Sequence, residues 1–207
     1  MSAGSLASLL ARRPILIALA GPNGAGKSTF YEAQLADTEL PFVNADVLAL
    51  TSGVNAYEAA KMADQLRRRM IAERQSFLFE TVFSDPVGEK LEFLRQAEDA
   101  GYAELLIFIG IAAPWLSETR VAMRVSQGGH DVPADKLVER YPRVMQNLRR
   151  ALVELANVQV YDNSDLGDPY RLVATREDGG AVVVHGAAPE WLRPLLPNPG
   201  LGLGIPA

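Results

Sequence analysis

One stretch constrains this chain more than any other. Gly21 to Thr29 read G-P-N-G-A-G-K-S-T. Gly21, Gly26, Lys27 and Ser28 occupy the fixed positions of the pattern G-x-x-x-x-G-K-[ST]. The chemistry explains the spacing. Glycines let a backbone take positive φ and bring its N–H groups against phosphate oxygens with no Cβ in the way. The segment Gly21, Pro22, Asn23, Gly24, Ala25, Gly26, Lys27, Ser28 and Thr29 is therefore expected to wrap a nucleotide's phosphates. Lys27 would supply a point charge to the β- and γ-phosphates, and the Ser28 hydroxyl would ligate Mg²⁺. The preceding Pro14-Ile15-Leu16-Ile17-Ala18-Leu19-Ala20 is an almost unbroken apolar run, as in a strand buried on both faces of a parallel sheet. Thr29 to Ala36 reads as helix, whose positive end adds to the anion site. A secretory leader, suggested by Arg12-Arg13 before an apolar run, is set aside because the run breaks at Gly21-Pro22-Asn23.

Further along, strands and helices alternate. Residues 41–44, 76–79, 103–112 and 158–161 read as strands, and helices are expected over 56–74, from Asp85-Pro86 to Gly101, over 116–126 and over 133–155. Arg171 to Thr175 and Ala181 to His185 flank a Glu-Asp-Gly-Gly turn, which predicts a hairpin. The pattern gives an α/β fold with a doubly wound, mainly parallel sheet and helices on both faces. The chain divides into an N-terminal arm (1–13), a single domain (14–195) with a helical lid at about 116–147, and a flexible Pro/Gly-rich tail (196–207). Arg67-Arg68-Arg69 reads as a solvated helix face, and Trp115 and Trp191 as packing residues.

Composition narrows the chemistry. There is no cysteine, which excludes disulfides and thiol catalysis and agrees with a reducing, cytoplasmic setting. The two histidines, His130 and His185, exclude a histidine-rich metal site. A net charge of −5 weighs against a nucleic-acid partner. No apolar run is long enough for a membrane helix. The base-reading N-K-x-D of GTPases is absent. No second apolar strand ends in the Asp-Glu pair of motor and transporter ATPases.

A small-molecule kinase fits better. Ligands of such sheets gather at the carboxyl ends of the strands. The phosphate loop, Asp46 and Glu80 all fall at such ends. Asp46 is the candidate base that orients an acceptor hydroxyl and takes its proton. Its residue type also suits a helix N-cap. Glu80 would touch acceptor hydroxyls or a Mg²⁺-bound water. Arg120 and Arg124 share a helix face. Lys136, Arg140, Arg143 and Asn147 share another, beyond the hinge Gln127-Gly128-Gly129-His130-Asp131. The two faces would close over triphosphate and exclude water. His130 has two open roles, contacting a phosphate or acceptor group and capping a helix. Asp162-Asn163-Ser164 either borders the adenine or is a plain turn.

The ordered set of motifs resembles the zeta toxin family of P-loop kinases. Besides the phosphate loop it comprises F-V-N-A-D (Phe42 to Asp46), F-E-T (Phe79 to Thr81), R-V-S-Q-G-G-H-D-V-P (Arg124 to Pro133), R-Y (Arg140-Tyr141) and Y-D-N-S (Tyr161 to Ser164). The resemblance implies a P-loop NTPase fold and transfer of phosphate from ATP, with Mg²⁺, to the 3′-hydroxyl of UDP-N-acetylglucosamine. It puts the catalytic base on Asp46, the acceptor contact on Glu80, the phosphate lysine on Lys27 and a lid arginine on Arg120 or Arg124. A second lid arginine of the toxins has no clear counterpart, since Gly129-His130 stand there. The expected catalytic set is Asp46, Lys27 and Arg124. The ATP site adds Arg120 and Asn163 to the loop, and the acceptor site comprises Asn44, Asp46, Glu80, Thr81, His130 and Arg140. The resemblance also implies an antitoxin partner. Kinases of other metabolites or of polynucleotide 5′-hydroxyls, and a non-catalytic ATP-binding module, are the alternatives.

Overall fold

Strand β1 (Ile15–Ala20) is fully buried along its whole length and lies in the middle of a seven-stranded sheet. The computed structural model describes residues 9–126 and 133–197. In chain order β1 is followed by a short helix α1 (Lys27–Phe30), β2 (Phe42–Val43), α2 (Ala45–Ser52), α3 (Ala56–Ala72) and β3 (Phe77–Thr81). Then come α4 (Glu89–Asp99), β4 (Ala103–Gly110), α5 (Pro114–Ser126), α6 (Ala134–Glu154), β5 (Val158–Asp162), β6 (Arg171–Arg176) and β7 (Val183–Val184). The sheet order is β2-β3-β1-β4-β5-β6-β7. The first five strands in that order pair parallel, and β6 and β7 add on as an antiparallel hairpin. This is the doubly wound α/β architecture expected of a P-loop NTPase.

Alternation along β1 divides the core into two layers, because successive side chains leave opposite faces of a strand. Leu16, Ala18 and Ala20 pack with Ala63 and Met70 of α3, Leu91 and Leu94 of α4, and Val144, Leu148 and Leu152 of α6. Ile15, Ile17 and Leu19 pack on the other face with Phe30 and Leu35. Each fully buried aliphatic side chain contributes about 1.5–3 kcal/mol, so the sheet centre is the firmest part of the molecule. Functional groups hung from the ends of β1 and β3 are thereby held in place.

Several elements depart from the sequence reading. α1 gives way after Phe30 to a wide π turn (Tyr31–Leu35) and a 3₁₀ turn (Ala36–Thr38). α2 lies where the sequence offered a helix only through the capping alternative for Asp46. It is two turns long and capped by Asn44, whose side chain accepts from Asp46 N at 2.8 Å and Val47 N at 3.3 Å. The capping role considered for Asp46 therefore belongs to Asn44. α4 starts at Glu89 rather than at Asp85-Pro86, because Asp85 stays outside the helix and accepts from Glu89 N through Oδ1. Arg67 is buried at 5 % exposure, unlike Arg68 and Arg69, so the three arginines are not one solvated face. Trp115 is 62 % exposed and does not pack in the core. Trp191 does: it lies against Gly110 and Phe108 and donates to Asp162 Oδ1 at 3.1 Å. No helix among the described residues is long and apolar enough to cross a membrane.

Candidate active site

The phosphate loop leaves β1 at Gly21, where φ is +142°. A Cβ there would stand 2.2 Å from the Ile109 carbonyl oxygen, so only glycine lets the chain turn beside β4. The loop is then tied through its carbonyls by side chains from distant elements. Ser117 of α5 donates to Asn23 O, Asn163 to Ala25 O at 2.8 Å, and Tyr170 to Gly26 O at 2.9 Å. Gly26 has φ +91°, and a Cβ on it would come 2.6 Å from the Tyr170 hydroxyl and 2.7 Å from Asn163 Nδ2. Occupying the carbonyls in this way leaves the glycine-rich turn's amides as the groups that face an anion.

Lys27 is almost fully buried, and its ammonium donates to Gly21 O at 3.0 Å and Pro22 O at 3.1 Å. Glu80 lies opposite. Because β3 runs parallel to β1 with Leu19 beside Glu80, that carboxylate reaches the mouth of the loop. Its Oε1 is 3.6 Å from Lys27 Nζ, and its Oε2 accepts from Ser28 Oγ at 3.3 Å and from Asn44 Nδ2 at 3.0 Å. A hydroxyl and a carboxylate so close form an all-oxygen pair of the kind Mg²⁺ takes alongside phosphate oxygens. The residues present therefore fit a Mg²⁺–nucleotide.

Beside this loop opens a cleft of about 460 Å³. It is lined by Asn44, Asp46, Glu80, Thr81 and Arg140, five of the six residues expected at the acceptor site. Asp46 sits in the first turn of α2 and is exposed; among the described residues its carboxylate makes no hydrogen bond or ion pair. Thr81 Oγ1 accepts from Phe83 N at 3.1 Å, which shapes the turn after β3. Arg120 is half-buried on α5, its Cβ would be 3.3 Å from a Cβ on Gly24, and its guanidinium donates to Ser164 O at 3.4 Å. It therefore lies between the phosphate loop and the turn after β5.

Other expected residues fall elsewhere. The side chain of Arg124, and His130 with the whole hinge at 127–132, lie outside the described residues. Asn163 is buried and braces the loop, so the Asp162-Asn163-Ser164 segment is more than a plain turn. Asp162 accepts from Ser164 N at 3.2 Å and from Arg171 Nη2 at 3.2 Å, which fixes it. Asn147, grouped by sequence with the basic face of α6, is buried and donates to Phe83 O and Asp85 O, both at 2.9 Å. It is a structural anchor. Sequence reasoning missed three lining residues of the cleft, Arg67, Asp85 and Lys90, while Arg143, placed by sequence on the basic face of α6, lines it too. Only Arg67 carried a signal, being an arginine on the apolar side of α3's periodicity. Burial lowers its pKa, and it lies over the Phe79 ring at 5.0 Å.

Comparison with known proteins adds to this geometry. The zeta toxin family model matches residues 44–171, more than half of the 207. The match takes in Asn44, Asp46, Glu80 and Arg140 and begins beyond the phosphate loop. Among solved structures, the AvrRxo1-ORF1:-ORF2 complex with ATP is similar at 19 % identity and TM-score 0.68, covering 98 % of this chain and 70 % of that one. The PezAT chromosomal toxin–antitoxin system of Streptococcus pneumoniae is similar at 21 % identity and TM-score 0.54, covering 77 % of this chain and 74 % of that one. Identities this low speak for the fold alone. No curated protein matches.

Proposed function

This chain belongs to the zeta toxin family, and from that premise we propose that it is an ATP-dependent kinase of a small-molecule hydroxyl. The acceptor we propose is a nucleotide-sugar, UDP-N-acetylglucosamine at its 3′-hydroxyl, as the family resemblance implies. One observation carries the reading. Glu80 touches Lys27 and Ser28 of the phosphate loop and Asn44 of the acceptor cleft at once, so the donor and acceptor sites share a wall.

The roles follow from chemistry. The loop amides and Lys27 bind the β- and γ-phosphates and stabilise the charge on the transferring group. Ser28, with Glu80 beside it, would hold Mg²⁺, which would neutralise phosphate charge. Asn44 has two tasks: its Oδ1 caps α2 and its Nδ2 steadies Glu80. The cap fixes the first turn of α2 and so aims Asp46. Asp46 accepts the acceptor's hydroxyl proton as the oxygen attacks the γ-phosphorus and the bond to the β–γ bridging oxygen breaks, which leaves ADP. Arg120, on α5 beside the phosphate loop, clamps the triphosphate in this proposal, and Arg124 on the same helix is the second candidate clamp. Arg140, on α6, lines the cleft, and His130 is proposed to contact a phosphate or the acceptor. An antitoxin-like partner that covers the site is part of this proposal, supported by the toxin–antitoxin assembly among the similar structures.

The test is ADP release with a panel of nucleotide-sugars, sugars, nucleosides and oligonucleotides. Wild type should turn over with UDP-N-acetylglucosamine, and Asp46→Asn should lose that turnover while still binding ATP. Equal rates for the two proteins would remove Asp46 as the base. Turnover with oligonucleotides alone would replace the acceptor.

A further inference from the structure

Trp191 lies beyond residues 44–171, which the family model matches, in the segment that follows the β6–β7 hairpin. Its ring nevertheless packs at the end of the sheet that carries the phosphate loop. Gly110, the last residue of β4, leaves the room: a Cβ there would stand 2.2 Å from the indole. The next residue, Leu192, is fully buried and holds the segment down. An indole N–H only donates, so a packed one calls for an acceptor. Trp191 Nε1 finds Asp162 Oδ1 at 3.1 Å.

Asp162 closes β5 and is buried. A buried carboxylate is expensive unless it is paired and hydrogen-bonded. This one gathers donors from three parts of the chain. Oδ1 accepts from Trp191, from Ser164 N at 3.2 Å and from Ser164 Oγ. Oδ2 accepts from Arg171 Nη2 at 3.2 Å, at the start of β6. A turn after a strand needs only the bond to Ser164 N to hold its shape. The bonds to Trp191 and Arg171 do something more: they tie the turn to the C-terminal segment and the hairpin. Arg171 also donates to Ala187 O at 3.2 Å, so the segment is held at a second point.

The residue that this carboxylate sets in place touches the phosphate loop. Asn163 N donates to Gly110 O at 2.8 Å, beside the Trp191 ring, and Asn163 Nδ2 donates to Ala25 O at 2.8 Å. Contacts thus run without a gap from Trp191 through Asp162 and Asn163 to the loop. Hydrogen bonds to an ionised group are the strong ones, and a network of them transmits the loss of any member.

Resting on the reading of this loop as an ATP site, we propose that Asp162 is a positioning residue for nucleotide binding, itself held by Trp191. The indole orients the carboxylate, the carboxylate sets Asn163, and Asn163 holds Ala25 O so that the loop's amides stay turned towards the triphosphate. Affinity for ATP therefore depends on a segment that reaches no phosphate. Preorganisation is the physical gain: a loop already held in its binding shape loses less freedom when the nucleotide arrives.

Calorimetry with a non-hydrolysable ATP analogue, on the full chain, tests this without any acceptor. Trp191→Phe keeps a packed ring and removes the N–H, and should weaken binding about threefold to tenfold. Asp162→Ala removes every bond to the carboxylate and should weaken it by roughly tenfold or more. The deciding comparison uses an Asn163→Ala background, in which the indole has no loop contact left to position. There Trp191→Phe should cost about twofold at most. An equal loss in both backgrounds would mean that Trp191 only stabilises the fold, and overturns the proposal. Unchanged affinity in Trp191→Phe, or a wild type that binds no analogue, overturns it as well. If Asp162→Ala does not fold, Trp191→Phe decides alone. In ADP release with UDP-N-acetylglucosamine, Trp191→Phe should raise the KM of ATP and leave that of the acceptor; the reverse pattern counts against the proposal. Weakened analogue binding by the variants, with no turnover of any acceptor by the wild type, supports the tie and discards the kinase reading instead.

Discussion

The phosphate loop and the acceptor cleft share Glu80 but are finished to different degrees. In the loop, three carbonyls are occupied by Ser117, Asn163 and Tyr170, which come from α5, the turn after β5 and the entry to β6. In the cleft, Arg67, Asp85 and Arg143 keep buried atoms with no partner, against one such atom at the loop, Asn163 Oδ1. The difference suits the roles proposed for the two regions. Triphosphate is the same in every ATP enzyme, so a loop can be fixed for it by the protein's own contacts. An acceptor must be distinguished from its competitors.

The largest effects should separate the two regions by kinetic signature. Lys27→Met and Asp46→Asn are each expected to cost about 10³-fold in kcat/KM. Lys27→Met should weaken ATP binding as well, whereas Asp46→Asn should leave it intact, which equilibrium binding and steady-state rates together would reveal. Identical signatures would break the comparison.

Another buried atom without a partner, Glu104 Oε2, lies far from both regions. Glu104 sits near the start of β4, beside Leu16, at the end of the sheet away from the site. Its Oε1 accepts from Asn157 N at 3.0 Å, and burial pushes its pKa up to about 7. Between the usual carboxylate range and that value the folded protein holds a proton that the unfolded chain has released. Stability should therefore fall as pH rises through this window and level off above it. The full shift corresponds to about 3 kcal/mol. Glu104→Gln should remove this slope and raise the unfolding midpoint at pH 8, as denaturant titrations at several pH values would show. An unchanged slope would assign the pH dependence to other groups.

Smaller effects probe the bracing of the loop. Gly26→Ala forces a side chain into positive φ and against Tyr170 and Asn163. It should cost about 2 kcal/mol of stability or ATP affinity, measured by unfolding and by nucleotide titration. Tyr170→Phe deletes only the bond to Gly26 O and should cost about 1 kcal/mol in the same measurements. A null result at both positions would mean that the loop holds its shape without its braces.

Legibility in the sequence followed the same division. The loop could be read because its constraints are local: consecutive glycines, a lysine and a hydroxyl must follow an apolar strand in fixed order. Asp46 and Glu80 could be read because strand ends in a parallel sheet converge. The buried state of Arg67 was signalled only by its place on the apolar side of α3, because it depends on Phe79, Phe93 and Asp64 closing around one arginine of three in a row. The places of Asn147 and Asp85 could not be read, since they are fixed by a contact between α6 and the turn after β3. The cap of α2 falls on Asn44 and not on Asp46, where it stood as an alternative, since Asn and Asp are nearly equal as caps and only the backbone chooses between them.

By itself the sequence determined that this chain would build a parallel sheet with a phosphate-binding turn at its edge, since strand burial and glycine backbone freedom act over a few residues. Tertiary structure alone decided which charged side chains would stand exposed and which would be enclosed without a partner. Enclosure depends on atoms brought together from α3, α6 and the turn after β3, and no local pattern encodes that meeting.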